Sequence, residues 1–259
     1  MGEPKIVITG TGRAGTTLLV QVLDELGLDT GIHEGKLTPY GAAVRAGLES
    51  RVDDPDAPTV VKDLTLGFRL RPILDAGEVE IGHVLIPTRA LEVAAASRVR
   101  AAGYGRLPFG RGALIGTLRA TEQKKVLKTI RSEITDALDD AGIPYTELEF
   151  PRFALDPEYT HRQLGAVLPD ASRAEVEAAL HRCVDPSMIH EAPLTRGEVW
   201  RTRATTVWMT LVRYPIGRIR RWIDPEGSQA RLRASVAAAQ RSAREAEESA
   251  RTDPPASAG

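Results

Sequence analysis

One stretch constrains the fold more than any other: ITGTGRAGTTLL, residues 8–19. KIVITG (5–10) reads as a short, β-branched strand closed by glycine. Residues 15–27 read as a helix, with Leu18, Leu19, Val22, Leu23 and Leu26 on one stripe. The alternation continues downstream. TVVKD (59–63), HVLIP (83–87) and IPYTELEF (143–150) read as strands. A helix is expected over about 91–102, and Leu127, Ile130, Ile134 and Leu138 fall at the spacing of another. Strands alternating with helices predict an α/β fold with a central parallel sheet covered on both faces. The chain has 259 residues, 42% of them apolar, enough for a substantial core.

The loop between the first strand and helix has the layout of a phosphate cradle. Glycines let successive N–H groups point inward, and the helix N-terminus adds partial positive charge. A nucleoside triphosphatase loop reads G-x-x-x-x-G-K-[ST]. Gly10 and Gly15 keep that spacing, but Thr16 stands where the lysine belongs. The nearest cation is Arg13, before the second glycine. The loop therefore suits a smaller anionic group that needs no Mg²⁺ clamp, and no metal is expected. Net charge is −1, so nothing global points to nucleic acid. The single cysteine, Cys183, precludes a disulfide framework and suits a reducing cytoplasm. MGEPKIVITG has no signal-peptide pattern, and no apolar run approaches the roughly 20 residues that span a bilayer.

GRAGTTLL resembles the 5′-phosphosulfate loop of sulfotransferases, PKSGTTW or GRSGTTLL, which use 3′-phosphoadenosine 5′-phosphosulfate (PAPS). The resemblance assigns donor binding to Gly12, Arg13, Ala14, Gly15, Thr16 and Thr17, with Ala14 departing from the family's serine. TRALEVAAAS is similar to R-x-P-x-x-V-A-x-S, whose Arg and Ser grip the 3′-phosphate; Arg89 and Ser97 have that spacing, and Ala90 replaces the proline. IPYTELEFPRFALDPEYTHRQL and HRCVDPSMIH resemble scaffold segments of the same family. The matches cover roughly residues 5–190 and resemble its bacterial branch most. LTRGEVW is faintly similar to the R-K-G element that closes over the adenosine end, making Arg196 and Gly197 further 3′-phosphate candidates.

The resemblance implies a P-loop-type three-layer sandwich that moves a sulfuryl group from PAPS to a hydroxyl or amine of a small-molecule or glycan acceptor. Arg13 and Lys62 would stabilise charge; an ion pair with Asp63 or a nearby acid is the alternative for Lys62. The family's K-T-H histidine is replaced by Leu64. Glu34 falls where some bacterial members carry a glutamate base, with His33 beside it as second choice and a solvent-exposed loop glutamate as the alternative. Two other functions stay open. One is a P-loop kinase with Asp63 at Mg²⁺, and the other is a non-catalytic nucleotide-binding protein of sulfotransferase descent.

Three regions are expected: a sulfotransferase-like domain over 1–190, a Trp/Arg-rich extension over 191–227, and a helical to disordered tail over 228–259. The extension either packs its tryptophans on the core or forms a cationic aromatic surface for lipid or an anionic partner. The glycine-rich stretch 103–116 is expected to be a lid or a plain surface connection. The acceptor and the oligomeric state are not legible.

Overall fold

The computed structural model describes residues 3–32, 39–40, 46–103, 122–186, 189, 197 and 200. The expectations for His33, Glu34, Arg196, most of the 103–116 stretch and the tail lie outside the described residues.

The chain opens with β1 (Lys5–Ile8) and α1 (Thr16–Glu25). A small antiparallel ribbon follows, β2 (Pro39–Tyr40) and β3 (Ala46–Gly47). Then come β4 (Val60–Lys62), a 3₁₀ turn (Leu66–Phe68), α2 (Leu70–Ala76), β5 (Ile81–Thr88), α3 (Leu91–Gly103) and α4 (Gln123–Ala141). Last are β6 (Tyr145–Glu149), α5 (Arg152–Leu155), α6 (Pro157–Leu164) and α7 (Arg173–Cys183). The four longer strands form one parallel sheet in the order β4-β1-β5-β6.

The period-2 alternation of strand side chains divides the core between two faces. Val7, Val61, Val84 and Ile86 meet Leu66, Ile73, Ile130, Ile134 and Leu138. Ile8, Val60, Leu85 and Leu148 meet Leu19, Val20 and Leu23 of α1 and Phe153 and Leu164 of α5 and α6. The result is an α/β fold with a parallel sheet flanked by helices, as expected from the strand–helix alternation.

Local chemistry explains where several elements begin and end. Asp156 caps α6 by accepting the Tyr159 N–H, and Pro157 fills the first turn, where its missing donor is harmless. Ser172 and Glu175 form a reciprocal capping box at α7. The sequence reading missed α2, a seven-residue helix with Pro72 in its first turn. It also missed the two-residue strands β2 and β3, which are too short to show a period. No helix among the described residues is long and apolar enough to cross a membrane.

His83 lies in β5 with Nε2 2.8 Å from Thr146 Oγ1. Burial lowers its pKa below the ordinary histidine value. The unfolded chain therefore takes up this proton first as pH falls, so the contribution is intact above about pH 6.5 and lost on acidification. His83→Gln should flatten the fall in melting temperature between about pH 7.5 and 5. An unchanged slope would show that other groups govern acid stability.

Candidate anion-binding site

In the sheet order, the connection after β1 runs to β4 on one side and the connection after β5 runs to β6 on the other, so the strand order reverses between β1 and β5. Such a switch point opens a crevice at the carboxyl ends of the strands. The loops after β1, β4 and β5 all meet there.

The loop after β1 is built from left-handed residues. Gly12 (φ +65°), Arg13 (φ +58°) and Gly15 (φ +79°) all lie in this region. Gly12 needs glycine for a second reason, because a Cβ there would stand 2.5 Å from Arg98 Nη2. A left-handed arginine costs roughly 1–3 kcal/mol, so the surroundings have to impose it. They do so from two sides: Arg13 Nε donates to Ser97 Oγ at 3.1 Å, and the Arg13 carbonyl accepts from Arg89 Nη1 at 3.3 Å. Arg89 also stacks over the Phe150 ring, 4.9 Å from its centre. Upstream, Thr9 Oγ1 donates to the Asp63 carbonyl at 2.8 Å, tying the loop to the end of β4.

Gly15 leads into α1, whose first turn (Thr16, Thr17, Leu18, Leu19) carries no acidic side chain. Its backbone N–H groups therefore keep their partial positive charge uncompensated from within the helix. Thr16 and Thr17 are buried at this end. Lys62, the last residue of β4, is 2% exposed and donates to Thr17 Oγ1 at 2.9 Å. In a nucleoside triphosphatase that hydroxyl position serves Mg²⁺. Here an ammonium group occupies the neighbourhood instead.

The Lys62 ion pair is with Glu49, 3.5 Å away, and not with Asp63. Asp63 faces elsewhere: its carboxylate accepts from the Val52 N–H, the Thr65 N–H and hydroxyl, and Arg69. Of the expected partners for Lys62, Asp63 or a nearby acid, the structure shows the nearby acid, Glu49. The bonds of Asp63 also remove it from the anion crevice, where a Mg²⁺ ligand would have to stand. Among the described residues, no group of three or more His, Cys, Asp or Glu side chains is arranged to hold a metal ion.

Several cations converge on this loop. Burial lowers the Lys62 pKa; Glu49 opposes the shift and the Arg13 charge adds to it. Burial likewise lowers Arg13. Arg98 is lowered to about 10 by burial and by Arg13, against the pull of Glu49. The Arg13 charge makes both Lys62 and Arg98 more costly to keep charged. An incoming anion reverses that penalty.

Of the expected donor residues, Gly12 to Thr17, Arg89 and Ser97 lie around this loop. Arg89 and Ser97 both bond Arg13, at its carbonyl and its Nε respectively. Ala14 is fully buried, so its methyl group faces protein. Leu64 lies against the loop, its Cδ1 3.4 Å from where a Gly12 Cβ would be. Gly197 is exposed and touches nothing within 4 Å of its Cβ direction, so the described contacts do not bring it to the loop.

Three participants escaped the sequence reading. Glu49 lies far from Lys62 along the chain and has no motif around it. Phe150 presses on Gly15 from the end of β6. Arg98 had a signal: it follows Ala94 by one helical turn, on the face of α3 that holds Ala94 and Ala95 against α4. An arginine at a core-facing position beside alanines is a buried cation by arithmetic.

No family model matches the chain, and no curated protein and no solved structure is similar to it.

Proposed function

We propose that the chain is a P-loop-type three-layer α/β sandwich that transfers the sulfuryl group of PAPS to a hydroxyl or amine acceptor, a small molecule or glycan. The observation that carries this reading is Lys62 bonded to Thr17 at the start of α1, with Arg13 on the loop beside it. Fixed cations at a helix N-terminus suit a group that is transferred without a metal clamp. A triphosphate would bring Mg²⁺ and require a carboxylate in the crevice, and Asp63 is committed to Arg69 and backbone donors.

The chemistry asks little covalent work of the protein. The acceptor oxygen attacks sulfur in line, the bond from sulfur to the bridging phosphate oxygen breaks, and adenosine 3′,5′-bisphosphate leaves. Lys62, Arg13 and the loop N–H groups stabilise charge on the sulfonate and the leaving phosphate. Arg89 and Ser97 serve the 3′-phosphate side, with Arg196 and Gly197 as further candidates there. Glu34 takes the acceptor proton and His33 is its neighbour. Glu34→Gln should cut turnover by about 10²–10⁴-fold and leave bisphosphate affinity unchanged. Full turnover in that variant would move the base elsewhere.

Calorimetric titration with adenosine 3′,5′-bisphosphate in EDTA, and with ATP plus Mg²⁺, tests the reading. Preference for the bisphosphate without metal is expected. Preference for ATP with Mg²⁺ would reject it.

A further inference from the structure

We propose that Arg98 is a positioning residue of the anion site, a cation set behind the loop that acts through the Thr11–Gly12 peptide. The proposal rests on the reading of the loop as a phosphate or phosphosulfate cradle, but not on sulfuryl transfer.

Arg98 reaches from α3 to the underside of the loop and is 6% exposed. Its Nη2 donates to the Thr11 carbonyl, and the same nitrogen fills the space that a side chain at Gly12 would need. Two consequences follow from general chemistry. A carbonyl held by a guanidinium cannot swing into the cradle and repel an anion. The same bond polarises the peptide, strengthening the Gly12 N–H as a donor. Arg89 does the equivalent for the Arg13 carbonyl. The loop is thus held by two arginines through alternate carbonyls, and the buried one also adds a full charge close beneath the ligand.

This arrangement accounts for how a loop without the usual lysine at Thr16, and with a methyl at Ala14, retains pull on a multiply charged anion. It also sets a preference for phosphate-type ligands of two or more charges in the absence of metal.

The test uses the full chain with inorganic pyrophosphate and adenosine 3′,5′-bisphosphate as probes, in EDTA, over a range of KCl. Arg98→Met keeps the stem and removes the charge; Arg98→Lys keeps the charge and loses the fork. Arg98→Met should lose at least about tenfold in pyrophosphate affinity, the effect of a charge-assisted partner. Its dependence of affinity on KCl should be shallower than wild type, while Arg98→Lys should retain the wild-type slope. Arg98→Met removes the cost of a buried charge but leaves the Thr11 carbonyl without this donor; the two effects oppose each other, so its melting temperature should stay within several degrees of wild type.

Wild-type pyrophosphate affinity and salt slope in Arg98→Met would overturn the proposal. So would equal losses in both variants together with a large drop in melting temperature, the pattern of a structural role alone. If wild type binds neither probe, the proposal also fails. Pyrophosphate binding that depends on Arg98, alongside a preference for ATP with Mg²⁺, would sustain this inference and reject the sulfuryl-transfer reading.

Discussion

A Gly15→Ala variant is expected to melt on the order of 5–20 °C below wild type. Two terms add. Gly15 sits at φ +79°, a left-handed conformation that costs an L-residue roughly 1–2 kcal/mol. A Cβ would also stand 2.7 Å from Phe150 Cδ2 and 2.8 Å from Phe153 Cζ. Both rings are in the core, their centres 5.6 Å apart, so neither can yield without moving the other. Overpacking of this kind costs about 1–3 kcal/mol. The sum is a large share of the roughly 5–15 kcal/mol that holds a domain together. Gly27→Ala is the control, because Gly27 has φ +86° but nothing within 4 Å of its Cβ direction. It should show the conformational cost alone. Equal melting of the two variants would mean that the aromatic wall does not set the position of the loop.

The second large effect belongs to Lys62. Lys62→Met should lower turnover of PAPS by about 10²–10³-fold, the loss seen when one fixed donor to a developing oxyanion is removed. The sign of the stability change is opposite to that of most core substitutions. Burial depresses the Lys62 pKa, so the unfolded chain binds this proton more readily than the folded one. At neutral pH the charge therefore costs folding free energy, a cost relieved only as pH rises through the depressed folded value toward the ordinary lysine range. Lys62→Met should consequently melt at or above the wild-type temperature at pH 7, while formation of adenosine 3′,5′-bisphosphate from PAPS slows. Loss of both stability and activity would make Lys62 a structural partner of Glu49 and Thr17 and no more.

The contrast between these two positions shows what the sequence could convey. Gly15 was legible because its requirement is local: a strand, a tight loop and a helix must join within a few residues, and glycine marks the join. The strands were legible for the same reason, since runs such as VVK and HVLIP need only a buried face. Their C-terminal ends were less so: TVVKD stops at Lys62 because Asp63 turns away to bond Val52, Thr65 and Arg69. Lys62 was recognised as a candidate, but its partner was not, because Glu49 reaches it only once the ribbon region and β4 are placed side by side. Ser97 was found as a candidate, but its contact with Arg13 was not foreseen. Its spacing from Arg89 suggested a shared ligand, whereas packing of α3 against the loop gives it Arg13 Nε. Arg98, adjacent in sequence, was passed over because α3 reads as a plain alanine-rich helix until its inward face is known.

Sulfuryl transfer by fixed cations around the first loop, as proposed, needs no metal. The most direct measurement follows radiosulfur-labelled PAPS in EDTA with a mixed pool of phenolic, sugar and amine acceptors. Label should leave the nucleotide for an organic product while adenosine 3′,5′-bisphosphate accumulates, and Lys62→Met should nearly abolish the transfer. Label that stays on the nucleotide with every acceptor, while the terminal phosphate of ATP is turned over when Mg²⁺ is supplied, would contradict it.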